Sequence, residues 1–268
     1  SSFNNIPTAH IQAGELSGNI DGQTRHAIAR LSHLHFCANN EFSTRLKKMG
    51  EQNFRIQVVG SPQIDDMKII NKNNKKSLIF KELNIPDIKK YMLIVYHSVT
   101  EEFQDTEKNL NIFLNSIEKI NLPKLWILPN NDPGSGIIKQ NIFKRRDSKT
   151  LLFDNLNREK YLYILKNAAC IVGNSSSGII EAPTYKIPAV NIGRRQHKRL
   201  RAKNVIDIKI HDEKKIVRGI KLALSEKFKK KLKNIINPYG DGNSSKRIID
   251  ILKKTKKNKK LMLKEITY

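Results

Sequence analysis

Short apolar segments that alternate with segments of helical periodicity constrain the fold of this chain most strongly. Residues 23–34, for example, carry Ala27, Ile28, Leu31 and Leu34 at helical spacing. The apolar segments have the length of buried strands and lie at residues 7–12, 34–38, 56–59, 91–96, 125–128, 150–153, 168–172, 189–192 and 205–208. Apolar strands that alternate with helices are typical of parallel sheets covered by helices on both faces. The sequence therefore predicts an α/β fold with doubly wound sheets.

Further helices are predicted at residues 41–49, 101–120 and 158–167, and two more close the chain. The stretch near residues 68–77 is rich in Lys and Asn, and we interpret it as a linker between two sets of strands and helices.

The basic charge of the chain needs an explanation. It has 50 Lys and Arg against 25 Asp and Glu, a formal net charge of +25. Nucleic-acid binding is one hypothesis. However, the Lys-rich runs at residues 71–76 and 253–260 have no interleaved aromatic residues, which favours solvated faces. We therefore expect no specific nucleic-acid partner, although a positive field would help to recruit an anionic substrate.

Several sequence patterns indicate the cellular compartment and argue against a metal site. No apolar segment is long enough to span a membrane, and the N-terminus lacks the pattern of a signal peptide. Cys37 and Cys170 lie in apolar, strand-like segments without a CxxC partner, which predicts buried free thiols. His33 and His35 alternate on a strand and so point to opposite faces. We therefore expect a cytoplasmic protein without a metal site.

Polar residues collect directly after the predicted strands. They are Gly14 and Glu15, His97, Asn130 with Asp132, residues 174–177, and Arg195. Ligands of open α/β sheets bind in the crevice beyond the carboxyl ends of the strands, so these clusters predict a binding site.

The segment Gly173-Asn174-Ser175-Ser176-Ser177-Gly178 places a small-residue turn between an apolar strand and a predicted helix. Unpaired N–H groups at a helix start attract phosphate, and the serines add hydroxyl donors. Glu181 lies one helical turn beyond Ser177, where a carboxylate could accept hydrogen bonds from a ribose diol. The pattern predicts a nucleotide site. An ordinary serine cap with a solvated glutamate is the alternative.

These residues resemble the UDP-N-acetylglucosamine 2-epimerase family, in particular its hydrolysing branch, which includes enzymes of sialic and legionaminic acid synthesis. The resemblance extends from His10 to about Leu252. Its motifs are His10-Ile11-Gln12-Ala13-Gly14-Glu15, Arg25-His26-Ala27, Gly60-Ser61-Pro62, His97-Ser98-Val99-Thr100, Pro129-Asn130-Asn131-Asp132, the serine turn with Glu181, Asn191-Ile192-Gly193-Arg194-Arg195-Gln196 and Tyr239-Gly240-Asp241-Gly242-Asn243. Gln12, where non-hydrolysing epimerases have Glu, favours the hydrolysing branch.

The resemblance implies two Rossmann-like domains in the GT-B arrangement, with the chain starting partway through the first. It divides the chain into the remainder of the N-terminal domain (1–70), a UDP-binding domain (71–240), and a C-terminal helix with a basic tail (241–268). Members are usually dimers or tetramers, so a homo-oligomer is also implied.

The reaction implied by the family is hydrolysis of UDP-N-acetylglucosamine, or of a 2,4-diacetamido-trideoxy analogue, with inversion at C2. UDP is eliminated across C1–C2, and water then adds to the glycal. No cofactor is expected. The resemblance assigns catalysis to Glu15, Asp21, Arg25 and His97. It assigns contacts with the UDP-sugar substrate to His97, Asn130, Asp132, Asn174, Ser175, Ser176, Glu181 and Arg195.

Other interpretations of these residues remain open. Asp21 also suits a helix cap and Arg25 a surface position. Asn130 and Asp132 suit the turn before Pro133-Gly134, and His97 an ordinary hydrogen-bonding position at a strand end. The alternative functions are a non-hydrolysing 2-epimerase, a GT-B glycosyltransferase, and an inactive fragment that binds a UDP-sugar.

Overall fold

The computed structural model describes residues 5–16, 21–72 and 76–267, without the side chains of residues 21, 69, 71, 72 and 76. Its contacts group the chain into two compact units. One consists of Ser1–Ile69 together with Asn237–Tyr268, and the other of Ile70–Ile236. The closing segment therefore differs from the separate helix and tail that we expected at 241–268, because it packs within the first unit.

The described strands of the first unit form a three-stranded parallel sheet in the order β1–β2–β3. The elements are β1 (Ala9–Ile11), α1 (Asp21–Leu31), β2 (Leu34–Cys37), α2 (Asn40–Lys48), β3 (Ile56–Val58) and α3 (Asp65–Lys72). A helix crosses between successive strands, as parallel pairing requires. All four residues of the central strand β2 are buried.

The second unit contains a six-stranded sheet within the described residues, and every neighbouring pair of its strands is parallel. Its elements are α4 (Lys76–Glu82), β4 (Met92–Val95), α5 (Thr106–Glu118), β5 (Lys124–Ile127), α6 (Ser135–Arg145), β6 (Thr150–Phe153), α7 (Arg158–Asn167), β7 (Cys170–Gly173), α8 (Ser177–Ile180), β8 (Ala189–Ile192), β9 (Val205–Ile208), α9 (Glu213–Leu224) and α10 (Glu226–Lys231). The predicted α/β class with parallel sheets is confirmed.

The strand order of this sheet is β6–β5–β4–β7–β8–β9. The chain runs outward from β4 to β6 and then returns to the other side of β4 with β7. The direction of winding therefore reverses between β4 and β7, and a crevice opens at the carboxyl ends of those two strands. His97 and Asn174 lie directly beyond these ends.

The core beside β4 is built around three aromatic rings, of which Tyr96 and Phe113 are stacked and Trp126 meets Phe113 edge to face. The ring centroids of Tyr96 and Phe113 are 4.5 Å apart, and those of Phe113 and Trp126 are 5.8 Å apart. Phe113 projects from α5 together with the buried Leu110, Leu114 and Ile117. This packing fixes the end of β4, from which His97 follows.

Two local predictions were wrong. Most of the predicted linker is helical, since α3 continues to Lys72 and α4 begins at Lys76, and their apolar residues Met67 and Ile79 are buried. The predicted helix at residues 101–120 is not continuous. Thr100–Asp105 form a 3-10 segment in which Glu102 leaves helical geometry, and no residue of that segment is buried.

The closing segment contains α11 (Ser244–Lys254) and α12 (Lys259–Met262). The fully buried guanidinium of Arg55 donates hydrogen bonds to the carbonyl oxygens of Lys260, Leu261 and Leu263. The Lys264 ammonium donates to the carbonyl oxygens of Ala29, Arg30 and Ser32. These bonds make the segment part of the first unit.

Two further predictions can be compared with the structure. Cys37 and Cys170 are buried free thiols as predicted, and burial raises the pKa of each to about 12. In the described ranges, no helix combines the length and the apolar character needed to cross a membrane.

Candidate functional site

A cavity of about 680 Å³ opens at the carboxyl edge of the six-stranded sheet. Its walls come from the segments that follow β4, β5, β6 and β7, so it lies at the point where the winding of the sheet reverses. The predicted site residues His97, Asn130, Ser175, Ser176 and Glu181 all line it.

Gly173 fixes the start of the serine turn. Its φ is +140°, and a Cβ atom at this position would lie 2.1 Å from the carbonyl oxygen of Val95. Only glycine allows β7 to approach the end of β4 this closely. The Asn174 N–H then donates to the same Val95 oxygen over 3.1 Å. The turn is therefore held against β4 before the serines begin.

The structure corrects the expected phosphate-binding groups of the turn. Helix α8 is a single turn, and its first N–H groups have acceptors: Ser177 N–H bonds to Ser175 Oγ, Gly178 N–H to the Ser175 carbonyl, and Ile179 N–H to the Ser176 carbonyl. The described part of the chain provides no acceptor for the backbone N–H groups of Ser175 and Ser176. The donors available to an anion are therefore in the turn, not at the helix start.

Glu181 is 6% exposed and is held by side chains on two sides. Ser177 Oγ donates to Glu181 Oε2 over 2.5 Å, as the one-turn spacing predicted. The Tyr161 hydroxyl in turn donates to Ser177 Oγ over 2.5 Å, and the Arg158 guanidinium pairs with Glu181 Oε1. Glu181 is thus neither solvated nor far from the serine turn.

His97 and Asn174 connect the ends of β4 and β7. The His97 N–H donates to Asn174 Oδ1 over 2.8 Å, and Asn174 Nδ2 donates to the His97 carbonyl oxygen over 2.7 Å. Asn174 is 1% exposed, and both polar atoms of its side chain are used in this pair. Asn174 therefore holds His97 in place, and its predicted contact with substrate remains a prediction.

The imidazole of His97 lies beside Asn130. Its Nδ1 is 3.2 Å from Asn130 Oδ1, while Asn130 Nδ2 donates to Asp132 Oδ2 over 2.8 Å. Burial lowers the pKa of His97 to about 4, and the nearby positive charge of Arg195 acts in the same direction. The ring is therefore neutral near pH 7.

Arg195 approaches the same group of residues from the loop after β8. Its Nη2 is 3.8 Å from Asp132 Oδ2, and its Nη1 donates to the Asn174 carbonyl oxygen over 3.4 Å. Gln196 Nε2 donates to that oxygen as well, over 2.9 Å. Asp132, Asn174 and Arg195 thus do not line the cavity. Asp132 and Asn174 bond to the lining residues Asn130 and His97, and Arg195 contacts Asp132 and Asn174 behind them.

The first unit contains the other predicted catalytic residues. Glu15 is fully buried, and Arg25 Nη1 lies 3.4 Å from Glu15 Oε2. Gly14, with φ of +77°, turns the chain before Glu15, and Arg45 donates to its carbonyl oxygen over 2.5 Å. Asp21 begins the backbone of α1, but its side chain lies outside the described residues.

Sequence reasoning missed Arg158 and Tyr161 as residues of the cavity wall, and it gave Ser177 no role beyond the serine turn. Arg158 and Tyr161 are three residues apart on α7, so they share a helical face. That spacing could have placed them together, but it could not indicate that this face meets Glu181. Lys139 of α6 also lines the cavity and was not predicted.

The parallel sheets and a cavity at the reversal of strand order define a Rossmann-like α/β protein with a site suited to a nucleotide. A family model described as UDP-N-acetylglucosamine 2-epimerase matches residues 1–253. The chain therefore belongs to the UDP-N-acetylglucosamine 2-epimerase family.

Two curated relatives are similar over much of the chain. A GDP/UDP-N,N'-diacetylbacillosamine 2-epimerase (hydrolyzing) from Campylobacter jejuni is 39% identical, over 77% of this chain and 55% of the relative. A UDP-N,N'-diacetylbacillosamine 2-epimerase (hydrolyzing) from Legionella pneumophila is 35% identical, over 93% of this chain and 65% of the relative. The chain thus spans less than two thirds of the length of each.

A crystal structure of UDP-GlcNAc 2-epimerase from Neisseria meningitidis, bound to UDP-GlcNAc, has a similar fold. Its TM-score to this chain is 0.80 at 18% identity, covering 94% of this chain and 71% of that one. At this identity the likeness concerns the fold.

Proposed function

We propose that the protein to which this chain belongs is a hydrolysing 2-epimerase. It converts UDP-N-acetylglucosamine, or a 2,4-diacetamido-trideoxy analogue, and water to the free 2-epimeric sugar and UDP. The observation that carries the proposal is the cavity at the β4–β7 crevice, which combines the serine turn, Glu181 and His97 in one wall.

The UDP moiety would lie along this wall. The backbone N–H groups and hydroxyls of Ser175 and Ser176 would bind the diphosphate, and Arg195 would supply positive charge beside it. Glu181 would accept hydrogen bonds from the ribose hydroxyls. His97, close to Asn130, would contact the leaving phosphate, whose negative charge would favour the protonated ring.

The chemical step needs groups that move protons. Elimination removes the proton at C2 and breaks the bond between C1 and the diphosphate oxygen, which gives the glycal and UDP. Water then adds to the glycal: C2 receives a proton on the opposite face, and C1 receives the hydroxyl group. We assign these transfers to Glu15 and Asp21 on the strength of the family motif. Arg25 would orient the Glu15 carboxylate through the ion pair seen in the first unit.

The choice of the hydrolysing branch rests on two points. The relatives from Campylobacter jejuni and Legionella pneumophila both carry the description hydrolyzing. Gln12 also supports the hydrolysing branch, because its amide stands where non-hydrolysing epimerases have a carboxylate. The Gln12 side chain donates to Ser61 Oγ over 2.6 Å. The same relatives make a diacetamido-trideoxy sugar a substrate to test first.

The test is incubation of the chain with each UDP-sugar in D₂O, followed by ³¹P and ¹H NMR. We expect UDP together with a free 2-epimeric sugar that carries deuterium at C2. Epimer that stays attached to UDP would assign a non-hydrolysing epimerase, and turnover only with an added sugar acceptor would assign a glycosyltransferase. UDP binding without any product would assign a binding fragment.

The cellular setting follows from the proposed product. We propose that the protein acts in the cytoplasm and that its free 2-epimeric amino sugar serves sialic or legionaminic acid synthesis. We also propose that it assembles as a homo-oligomer, which light scattering would test.

A further inference from the structure

Glu181 is connected to α7 by a chain of side-chain hydrogen bonds that the proposed function does not use. Tyr161 Oη is 2.5 Å from Ser177 Oγ, which is 2.5 Å from Glu181 Oε2. Arg158, on the same face of α7, pairs with Glu181 Oε1. Tyr161, Ser177, Arg158 and Glu181 all line the cavity.

The direction of these hydrogen bonds is fixed. Burial and the nearby charge of Glu181 raise the pKa of Tyr161, so its phenol keeps its proton and donates. Ser177 has one hydroxyl proton and gives it to the Glu181 carboxylate, which can only accept. The Ser177 oxygen is then free to accept from Tyr161.

Counting acceptor positions shows what this arrangement leaves. A carboxylate has about four lone-pair positions, two on each oxygen. Among the described residues, Ser177 occupies one on Oε2 and Arg158 one on Oε1. One position then remains on each oxygen of Glu181, a residue that lines the cavity. Two acceptors side by side match the two hydroxyl donors of a vicinal diol.

We propose that Tyr161, through Ser177, and Arg158 position Glu181 to recognise a ribose diol, which makes the site selective for ribonucleotides over 2′-deoxyribonucleotides. The inference rests on the proposed function, because it takes the ligand to be UDP. Tyr161 and Arg158 are positioning residues in this scheme.

Calorimetric titration of the chain with UDP and with 2′-deoxy-UDP tests the proposal. For wild type we expect UDP to bind about tenfold more tightly, as for the loss of one hydrogen bond to a charged group. Tyr161→Phe keeps the ring and removes the donor, so the preference should fall to about threefold or less, while the affinity for 2′-deoxy-UDP stays nearly constant.

Tyr163→Phe is the matched control. Tyr163 lies on the same helix and is buried, but it is not part of the cavity wall. This variant should keep the wild-type preference. Ser177→Ala breaks the same chain of hydrogen bonds at its middle and should reduce the preference as Tyr161→Phe does.

The outcomes separate the two proposals. Wild type that binds neither nucleotide would overturn both the UDP site and this inference. Wild type that binds both equally, or a Tyr161→Phe protein that keeps the full preference, would overturn only the inference. If Tyr163→Phe also lost the preference for UDP over 2′-deoxy-UDP, the loss would be due to the packing of α7, and the inference would again be overturned.

Discussion

Glu51 in the first unit and Glu181 in the second are both buried glutamates, yet their surroundings differ. Glu51 is 1% exposed, and contacts from His35, Arg30 and Lys264 enclose its two oxygens. Glu181 is 6% exposed and is held by Arg158 and Ser177, but it lines a cavity of about 680 Å³. A carboxylate enclosed by donors stabilises its own unit, whereas one that faces a cavity has acceptor positions left for a ligand.

The pKa of Glu51 agrees with a structural role. Burial alone would raise it, but hydrogen bonds from His35 and Lys264 outweigh burial, and the pKa lies below the ordinary value for glutamate. A carboxyl with a lowered pKa stabilises the folded state above its unfolded pKa, and this stabilisation is lost as the pH falls through the folded value.

The largest effect is expected from Glu51→Gln, which removes the charge and keeps the size. It should lower the free energy of unfolding by about 3 kcal/mol, because it leaves the Lys264 ammonium without its carboxylate in a partly buried position. Urea denaturation measures this. UDP affinity, measured where the variant is folded, should stay unchanged. A loss of stability below about 1 kcal/mol would contradict the role that we give to Glu51.

Glu181→Gln should have the opposite profile. We expect UDP affinity to fall by about 2 kcal/mol, as for a lost hydrogen bond to a charged group, with less effect on stability than Glu51→Gln has. Titration calorimetry measures the affinity. Glu107→Gln, an equal change of charge at an exposed position of α5, is the control and should bind UDP like wild type. Unchanged affinity in Glu181→Gln would remove Glu181 from the site.

His97 provides a pH test of the same cavity. Because its folded pKa is about 4 and the ordinary value is 6.5, its contribution to stability is present above pH 6.5 and is lost as the pH falls from 6.5 towards 4. NMR titration of the ring should give a midpoint near pH 4 in the free chain. Bound UDP should move the midpoint upward, because a diphosphate stabilises the charged ring. A midpoint that UDP does not move would place the diphosphate elsewhere.

The smallest effect on stability is expected at an exposed carboxylate. Glu41 pairs with Arg45 one turn along α2, over 2.8 Å, and is about half exposed. Glu41→Gln should cost only about 0.4 kcal/mol, since exposed pairs at this spacing contribute little. Thermal denaturation should show a small decrease in Tm relative to wild type, and added salt should abolish this decrease. If Glu41→Gln lowered the free energy of unfolding as much as Glu51→Gln, burial would not explain why buried and exposed glutamates contribute differently to stability.

The sequence was sufficient for the features that depend on local pattern. Fully apolar segments such as Met92–Val95 and Cys170–Gly173 become the central strands β4 and β7 because only a sheet covered on both faces accommodates them. The grouping of His97, Asn130, Ser175 and Ser176 at one edge also followed from strand ends, since the carboxyl ends of parallel strands share an edge. Glu181 followed from its spacing of one helical turn from Ser177.

Features that depend on contacts distant in sequence could not be predicted. No pattern shows that Tyr161 reaches Ser177, because the two lie on different elements that meet only after packing. The prediction of unpaired N–H groups at the start of α8 was wrong for a related reason. The sequence shows where a helix can begin but not that α8 ends after one turn with its first N–H groups already bonded. The burial of Arg55 against residues 260–263 could not be predicted either, because the composition of this Lys-rich segment is typical of a solvent-exposed tail.

The bonds from Arg55 have a practical consequence for handling the protein. Trimming the chain after residue 258, a natural choice for removing Lys-rich sequence before crystallisation, would delete the carbonyl groups of Lys260, Leu261 and Leu263 that its guanidinium binds. A cation would be stranded in the interior, and the shortened protein would tend to aggregate. A shortened chain should therefore keep residues 260–263.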